Sequence, residues 1–315
     1  MELLFLEPIF KERIWGGSRL KTDFGFDIPS NTTGECWAIS AHKNGATNIK
    51  NGKFSGMSLK DLWMNHKELF GQGFSVRPRE FPLMVKILDA KADLSVQVHP
   101  GDAYAKKYEN DLGKAECWYI LNATSDAKII YGHSAKNIEE FKNLALNNQW
   151  DKLLTSVKIH TGDFFDVPTG TVHAVGAGAL ILEVQQSSDT TYRLYDYGRT
   201  DDSGNLRELH LDKSFAVIKA PHKSSNNDIE VIALDNESTL TVLTSNKHFE
   251  VQKLFVQGNL CFMNNAKYLL VCAIDGEAVI NGYKVKKGDS FIVPNQIKDL
   301  DIIGEISLII TKEAN

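Results

Sequence analysis

The feature that most constrains this 315-residue chain is a heptapeptide that occurs twice, as GDFFDVP at 162–168 and as GDSFIVP at 288–294. Each copy enters through a Gly-Asp turn, runs through the alternating side chains of a short strand and stops at a proline, which has no N–H to give a ladder. A repeat of this kind, with strand-like runs before each copy, predicts two small β-barrels. The copies then diverge. The first continues through a second turn, Pro168-Thr169-Gly170, to His173, a path that aims the histidine into its barrel; in the second, Gln296 stands where Gly170 does and Asp299 where His173 does. The second copy is therefore expected to be structural. The boundary is expected in the polar stretch at 220–228, after the helical run ending near Ile218, giving an N-terminal metal-binding domain over 1–222 and a C-terminal barrel without metal ligands over 223–315.

A partner for His173 lies upstream. Leu94 to Pro100 reads as a strand, and its period of two puts Gln97 and His99 on one face and Val96 and Val98 on the other. Lys114 and Glu116 share the same spacing at the start of the next strand, so both face one side. Gln97, His99, Glu116 and His173 thus form a candidate ligand set of two imidazoles, a carboxylate and an amide oxygen. That donor set suits a divalent ion such as Zn²⁺, with iron or manganese open on ligand type alone.

Other stretches set the frame. SLKDLWMNHKELF (58–70) predicts a helix with Ser58 as N-cap and Gly71 as stop, a short helix is expected after Pro100 up to Gly113, and a helical excursion is expected from Ser134 to about Val157. Lys86, in an otherwise apolar strand, is either an edge-strand gatekeeper or a charge aimed into a polar cavity, the gatekeeper being the safer expectation. Glu183, Gln185, Asp189, Arg193, Asp196 and Arg199 crowd a short interval after the His173 strand. With 35 basic against 40 acidic residues, the net charge of -5 makes no electrostatic case for nucleic acid or an anionic membrane. The four cysteines, Cys36, Cys117, Cys261 and Cys272, are scattered in apolar runs without a C-x-x-C, which suits small core residues in a reducing cytoplasm. The N-terminus fits neither a signal peptide nor a membrane span.

The Gly162–His173 pattern resembles the second conserved motif of the cupin superfamily, and Q-x-H with Glu116 resembles the first with its leading histidine replaced by glutamine. More closely, KERIWGG (11–17), GECWAIS (34–40), FPLMVKILDA (81–90), LSVQVHPGD (94–102), GKAECWYIL (113–121), VPTGTVHAVG (167–176) and EVQQSSDTTYRLYDYGR (183–199) resemble, in order, the type I mannose-6-phosphate isomerases in their short bacterial form. The similarity is clear over about residues 1–220 and looser beyond. It implies a mainly β fold of two cupin-like jelly-roll β-barrels, with helical insertions in and around the N-terminal one. It also implies an aldose-ketose isomerase that interconverts mannose 6-phosphate and fructose 6-phosphate through a cis-enediol, with one Zn²⁺ per chain on Gln97, His99, Glu116 and His173.

On that resemblance Arg193 takes the position of the catalytic arginine, and Lys114 and Asp189 fall where proton transfer or substrate orientation is placed. Trp15, Glu35, Lys86 and Ser95 look like pocket residues, and Glu183 is a further candidate for contact with substrate. Longer members carry asparagine and histidine before the lysine, whereas Leu112-Gly113 precede Lys114 here, so an acid/base role for that histidine has no counterpart. A guanidinium stays charged, which suits Arg193 to holding negative charge; Asp189, Glu183 or a hydroxide on the metal is a more natural base. Lys86 and Lys114 are the available phosphate partners. The expected partner is a small-molecule sugar phosphate, with no nucleic acid or membrane, and the expected state is a monomer or weak homodimer. Two alternatives share the scaffold: a non-catalytic sugar-phosphate-binding protein, and a metal-dependent cupin oxygenase, for which Gln97 in place of a histidine is the poorer fit.

Overall fold

Antiparallel pairing of the short alternating runs organises the computed structural model, which describes residues 1–72, 80–200, 204–225, 229–235 and 237–314. Two sheets and a two-stranded hairpin, Ala41–His42 with Gly45–Ala46, form the N-terminal half. The six-stranded sheet runs in the order Phe164–Val167, Glu116–Ala123, Ala179–Gln186, Leu83–Asp89, Thr33–Ile39 and Ile9–Gly17. The five-stranded sheet runs Leu154–Lys158, Lys128–His133, His173–Val175, Val96–Val98 and Tyr192–Tyr195. The C-terminal half is a nine-stranded sheet built mainly from residues 230–313, which also takes in Leu4–Glu7 and Asn48–Ile49. Leu4 pairs with Ile292 and Leu6 with Ile49, so the chain's first strand bridges the two halves. One apolar core joins them further, from Val85, Cys117 and Val184 on one side to Phe249, Leu270 and Ile292 on the other. The mainly β architecture matches the expectation.

The repeated heptapeptide folds alike in both places. Gly162 and Gly288 take φ of 94° and 95°, a left-handed conformation in which a Cβ is strained, and each leads into a four-residue strand, Phe164–Val167 or Ser290–Val293. The turn after the proline recurs too, closed by the Thr171 N–H on the Pro168 carbonyl at 3.1 Å and by the Ile297 N–H on the Pro294 carbonyl at 3.0 Å, but only the first copy has a glycine there. Gly170 has φ of 86°, and its N–H donates to the His99 carbonyl at 2.9 Å, which draws the two histidine-bearing segments together.

Several helical expectations are corrected. Residues 58–70 do not form one helix: Leu59–Asn65 is α-helical, capped by the Ser58 hydroxyl, but at His66 the backbone leaves helical geometry and Lys67–Phe70 is a 3-10 turn closed by Gly71. The helix after Pro100 is shorter than expected, Asp102–Tyr108. The excursion expected to be helical through Val157 splits into Ile138–Leu146 and Trp150–Leu153, and Leu154–Lys158 is a strand on Lys128–His133, where alternation and the β-branched Thr155 and Val157 favour a sheet edge. Cys36, Cys117 and Cys272 are buried as expected, but Cys261 is exposed because its strand alternates at an end where one face is open to solvent. Of the expected boundary stretch, residues 226–228 lie outside the described residues. No helix among the described residues is long and apolar enough to cross a membrane.

Candidate active site

Strand register assembles the site. On the five-stranded sheet, Gln97 is paired with His173 on one side and Arg193 on the other, so three side chains from three strands lie in one row. On the six-stranded sheet a second row runs Trp37, Lys86, Glu183 and Trp118. Lys86 therefore sits in a central strand, buried at 4% exposure, and the gatekeeper expectation is overturned in favour of the polar cavity. Its ammonium lies 3.6 Å from Glu183 and 5.0 Å from the centre of the Trp37 ring.

His99, Glu116 and His173 converge, with one ligand atom from each within 4.8 Å of the others. All three are buried. His99 Nδ1 faces the Thr190 carbonyl at 3.1 Å and His173 Nδ1 faces the Thr171 carbonyl at 2.9 Å, so each Nδ1 carries the proton and each Nε2 presents a lone pair. Those lone pairs lie 3.3 and 3.4 Å from the two carboxylate oxygens of Glu116. His173 Nε2 and Glu116 Oε2 are buried with no directed hydrogen bond. Proton-free donors that face one another inside a protein repel unless a cation sits among them. The Lys114 ammonium partly serves, 2.9 Å from Glu116 and 3.1 Å from His99 Nε2. Two neutral imidazoles and a carboxylate fit a divalent cation, zinc among them, and Gln97, paired with His173 in register, lies on the neighbouring cavity lining.

The electrostatics agree. Burial, then the Lys114 charge, pushes His99 down to about 3, and burial likewise lowers His173, so both imidazoles stay neutral. Burial works against the Glu116 carboxylate, but the Lys114 charge, the largest of the opposing effects, holds its pKa well below the usual range. Glu183 moves the other way, pushed up by burial and then by the Glu116 charge. Glu35 is held low because Lys86 and Arg13 together outweigh its burial.

Beside this cluster lies a cavity of about 320 Å³. Its lining brings together Trp15, Glu35, Lys86, Ser95, Gln97, Lys114, Glu183, Asp189 and Arg193. His99, Glu116 and His173 are not on the lining, and Lys114 connects the two groups. Two arginines that sequence reading passed over also line it, Arg13 and Arg207. Arg13 stands inside the KERIWGG motif, where its proximity to the aromatic was a usable signal; Arg207 lies in a stretch with no motif. Asn44 was likewise missed. Its amide donates to the Asp189 carboxylate at 2.9 Å from a hairpin that is distant in sequence. Asp111 accepts from Ser188 and Thr190, at 3.0 Å each, and so pins both sides of Asp189.

Residues 3–112 match the phosphomannose isomerase type I catalytic domain, and residues 238–312 match the mannose-6-phosphate isomerase cupin domain. The chain is 47% identical over 315 residues to the mannose-6-phosphate isomerase ManA of Bacillus subtilis, covering 98% of each chain. It is also 47% identical to the mannose-6-phosphate isomerase of Streptococcus mutans, covering 98% of this chain and 97% of that one. The crystal structure of the Bacillus subtilis mannose 6-phosphate isomerase superposes with a TM-score of 0.94 at 42% identity, covering 99% of both chains.

Proposed function

The chain belongs to the type I phosphomannose isomerase family, and from that premise we propose that it interconverts mannose 6-phosphate and fructose 6-phosphate through a cis-enediol, using one Zn²⁺ on Gln97, His99, Glu116 and His173. The observation that carries the reading is the pair of imidazoles whose Nδ1 protons are committed to peptide carbonyls, which leaves both Nε2 lone pairs facing Glu116.

Aldose-ketose isomerisation moves a proton between C2 and C1 while the oxygens on those carbons exchange carbonyl and hydroxyl character. Bound zinc supplies Lewis-acid polarisation of the sugar oxygens. Asp189 is the base for the carbon proton: it lines the cavity, and Asn44 holds its carboxylate in place. Glu183 is committed to Trp118 Nε1 at 3.3 Å and to Lys86, so it orients the lysine. Lys114, between the ligand set and the cavity, hydrogen-bonds a sugar oxygen, and Arg193, on the cavity lining, holds negative charge on the substrate. The cavity faces a small-molecule substrate, and the chain acts in the cytoplasm as a monomer or weak homodimer.

The test follows fructose 6-phosphate formed from mannose 6-phosphate before and after chelation, with the metal content measured on the same sample. Activity should fall with the zinc and return with it. Full turnover after verified metal removal would overturn the mechanism, and tight binding without turnover would make the chain a sugar-phosphate-binding protein.

A further inference from the structure

We propose that the corner of the cavity formed by Arg193 and Arg207 holds the phosphate of the substrate, with Arg207 setting the preference for a phosphorylated sugar. This rests on the sugar-phosphate reading above and names the group that recognises the phosphate.

Five cationic side chains line the cavity: Arg13, Lys86, Lys114, Arg193 and Arg207. Three are matched one to one by carboxylates. Lys114 lies 2.9 Å from Glu116, Lys86 lies 3.6 Å from Glu183, and Arg13 forks onto Glu35 at 2.8 and 3.2 Å. A phosphate placed among them would face three buried or half-buried anions as well as three cations. Lys86 and Lys114 are thus poor phosphate partners, although sequence offers them as the available ones.

The other end of the cavity has a different balance. Among the described residues, Arg193, Arg199 and Arg207 gather around one carboxylate, Asp196. Arg207 forks onto it, with Nε 2.6 Å from Oδ2 and Nη2 on Oδ1, and Arg199 Nη2 reaches the same Oδ1 at 2.5 Å. Arg199 is also bound to the Asp93 carbonyl and does not line the cavity. Arg193 donates to the Glu208 carbonyl at 2.8 Å, and its buried Nε has no hydrogen-bond partner among the described residues. Among the described residues, three guanidiniums against buried Asp196 and the exposed Glu208 leave an excess of one positive charge. A phosphate monoester carries about −1.5 to −2 at neutral pH and is met bidentately by guanidinium groups.

The placement also suits the substrate's length. Arg193 is paired with Gln97, one strand from His173, so the arginine corner and the ligand set stand on opposite sides of Gln97. The reacting C1 and C2 lie at the end of the sugar remote from the C6 phosphate. With the reacting end toward His99, Glu116 and His173, the phosphate falls toward the arginines. Asp196 is then a positioning residue, 5% exposed, that holds Arg207 against the cavity.

The experiment compares wild type, Arg207→Gln and Arg207→Lys in the full-length zinc-loaded protein. It measures kcat and KM for mannose 6-phosphate, the constant for competitive inhibition by inorganic phosphate, and phosphate binding by calorimetry. Arg207→Gln should raise KM and weaken phosphate inhibition together, on the order of tenfold or more, while kcat stays within a few-fold. Arg207→Lys, which keeps the charge but loses the fork, should show a smaller rise in both, and it carries the same comparison if the glutamine variant does not fold. KM and phosphate inhibition unchanged in either folded variant would overturn the proposal, as would a fall in kcat with KM intact. A wild type that binds phosphate but does not convert mannose 6-phosphate would instead remove the isomerase reading, while calorimetry on Arg207→Gln still decides the phosphate site.

Discussion

The two halves of the chain use one turn and strand to opposite ends. In the N-terminal half the strand after Gly162 ends at Val167, which is paired with Glu116; in the C-terminal half the strand after Gly288 ends at Val293, which is paired with Leu269. The residue opposite the same point of the repeat is a metal-competent carboxylate in one half and a fully buried leucine in the other. His173 is buried in the ligand set, whereas Asp299 is exposed at the start of the last strand. Leu269 sits in an apolar cluster with Leu254, Val271, Phe291, Leu300 and Ile310, and the buried polar residues of this half among the described residues, Gln252 and Thr311 among them, are uncharged. The scaffold therefore stands without the ligands. Burying carboxylates and ammonium groups costs more than burying aliphatic side chains and contributes little net stability, so the charged interior of the N-terminal half reflects chemistry and not folding.

The strongest way to break this comparison is to remove a ligand. Glu116→Ala or His173→Ala should abolish stoichiometric zinc, read by metal analysis, and cut kcat/KM by more than the ~10–100-fold typical of losing only an outer-shell partner. An active, zinc-loaded Glu116→Ala protein would mean that the wrong half has been assigned the chemistry. The complementary change acts on stability alone. Leu269→Ala should cost about 2–5 kcal/mol through lost burial and a residual cavity, seen as a lower midpoint in denaturant, with zinc content per folded molecule unchanged.

A finer test concerns the support of Asp189. Asn44→Ala removes the amide that holds its carboxylate, and kcat should fall by less than the ~10²-fold that a 1 Å misplacement can cost, with zinc content unaltered. Unchanged kcat would detach the hairpin at Ala41–Ala46 from the reaction. Smallest of all, Asp299→Ala should leave activity, zinc and stability within about 0.5 kcal/mol of wild type, because its side chain is exposed and sits where the repeat has no ligand partner. A measurable loss of zinc there would undo the contrast between the halves.

Much of this was legible because it is local. The period of a strand already puts Gln97 with His99 and Lys114 with Glu116, and the Gly162 and Gly170 turns follow from residues that tolerate positive φ. The mainly β fold and the candidate cluster of His99, Glu116 and His173 could be reached from those patterns and from family resemblance. The helix boundaries could not, because Leu154–Lys158 is a strand only by virtue of the edge it joins at Lys128–His133. Lys86 illustrates the same limit: an isolated lysine in an apolar run has two readings, and only its neighbours on both sides select the cavity.

The sequence by itself determined which side chains are chemically able to bind a metal, which faces they share within a strand, and where the repeat loses them. Only the tertiary structure decided the through-space pairing. Register across three strands aligns Arg193, Gln97 and His173, a carbonyl distant in the chain, that of Thr190, sets the His99 tautomer, and carboxylates occupy Lys86 and Lys114 while an excess of guanidinium charge remains at Arg193 and Arg207. The reason is physical: side-chain alternation is a property of consecutive residues, whereas burial, tautomer and charge balance depend on distances between residues that only the packed sheets bring together.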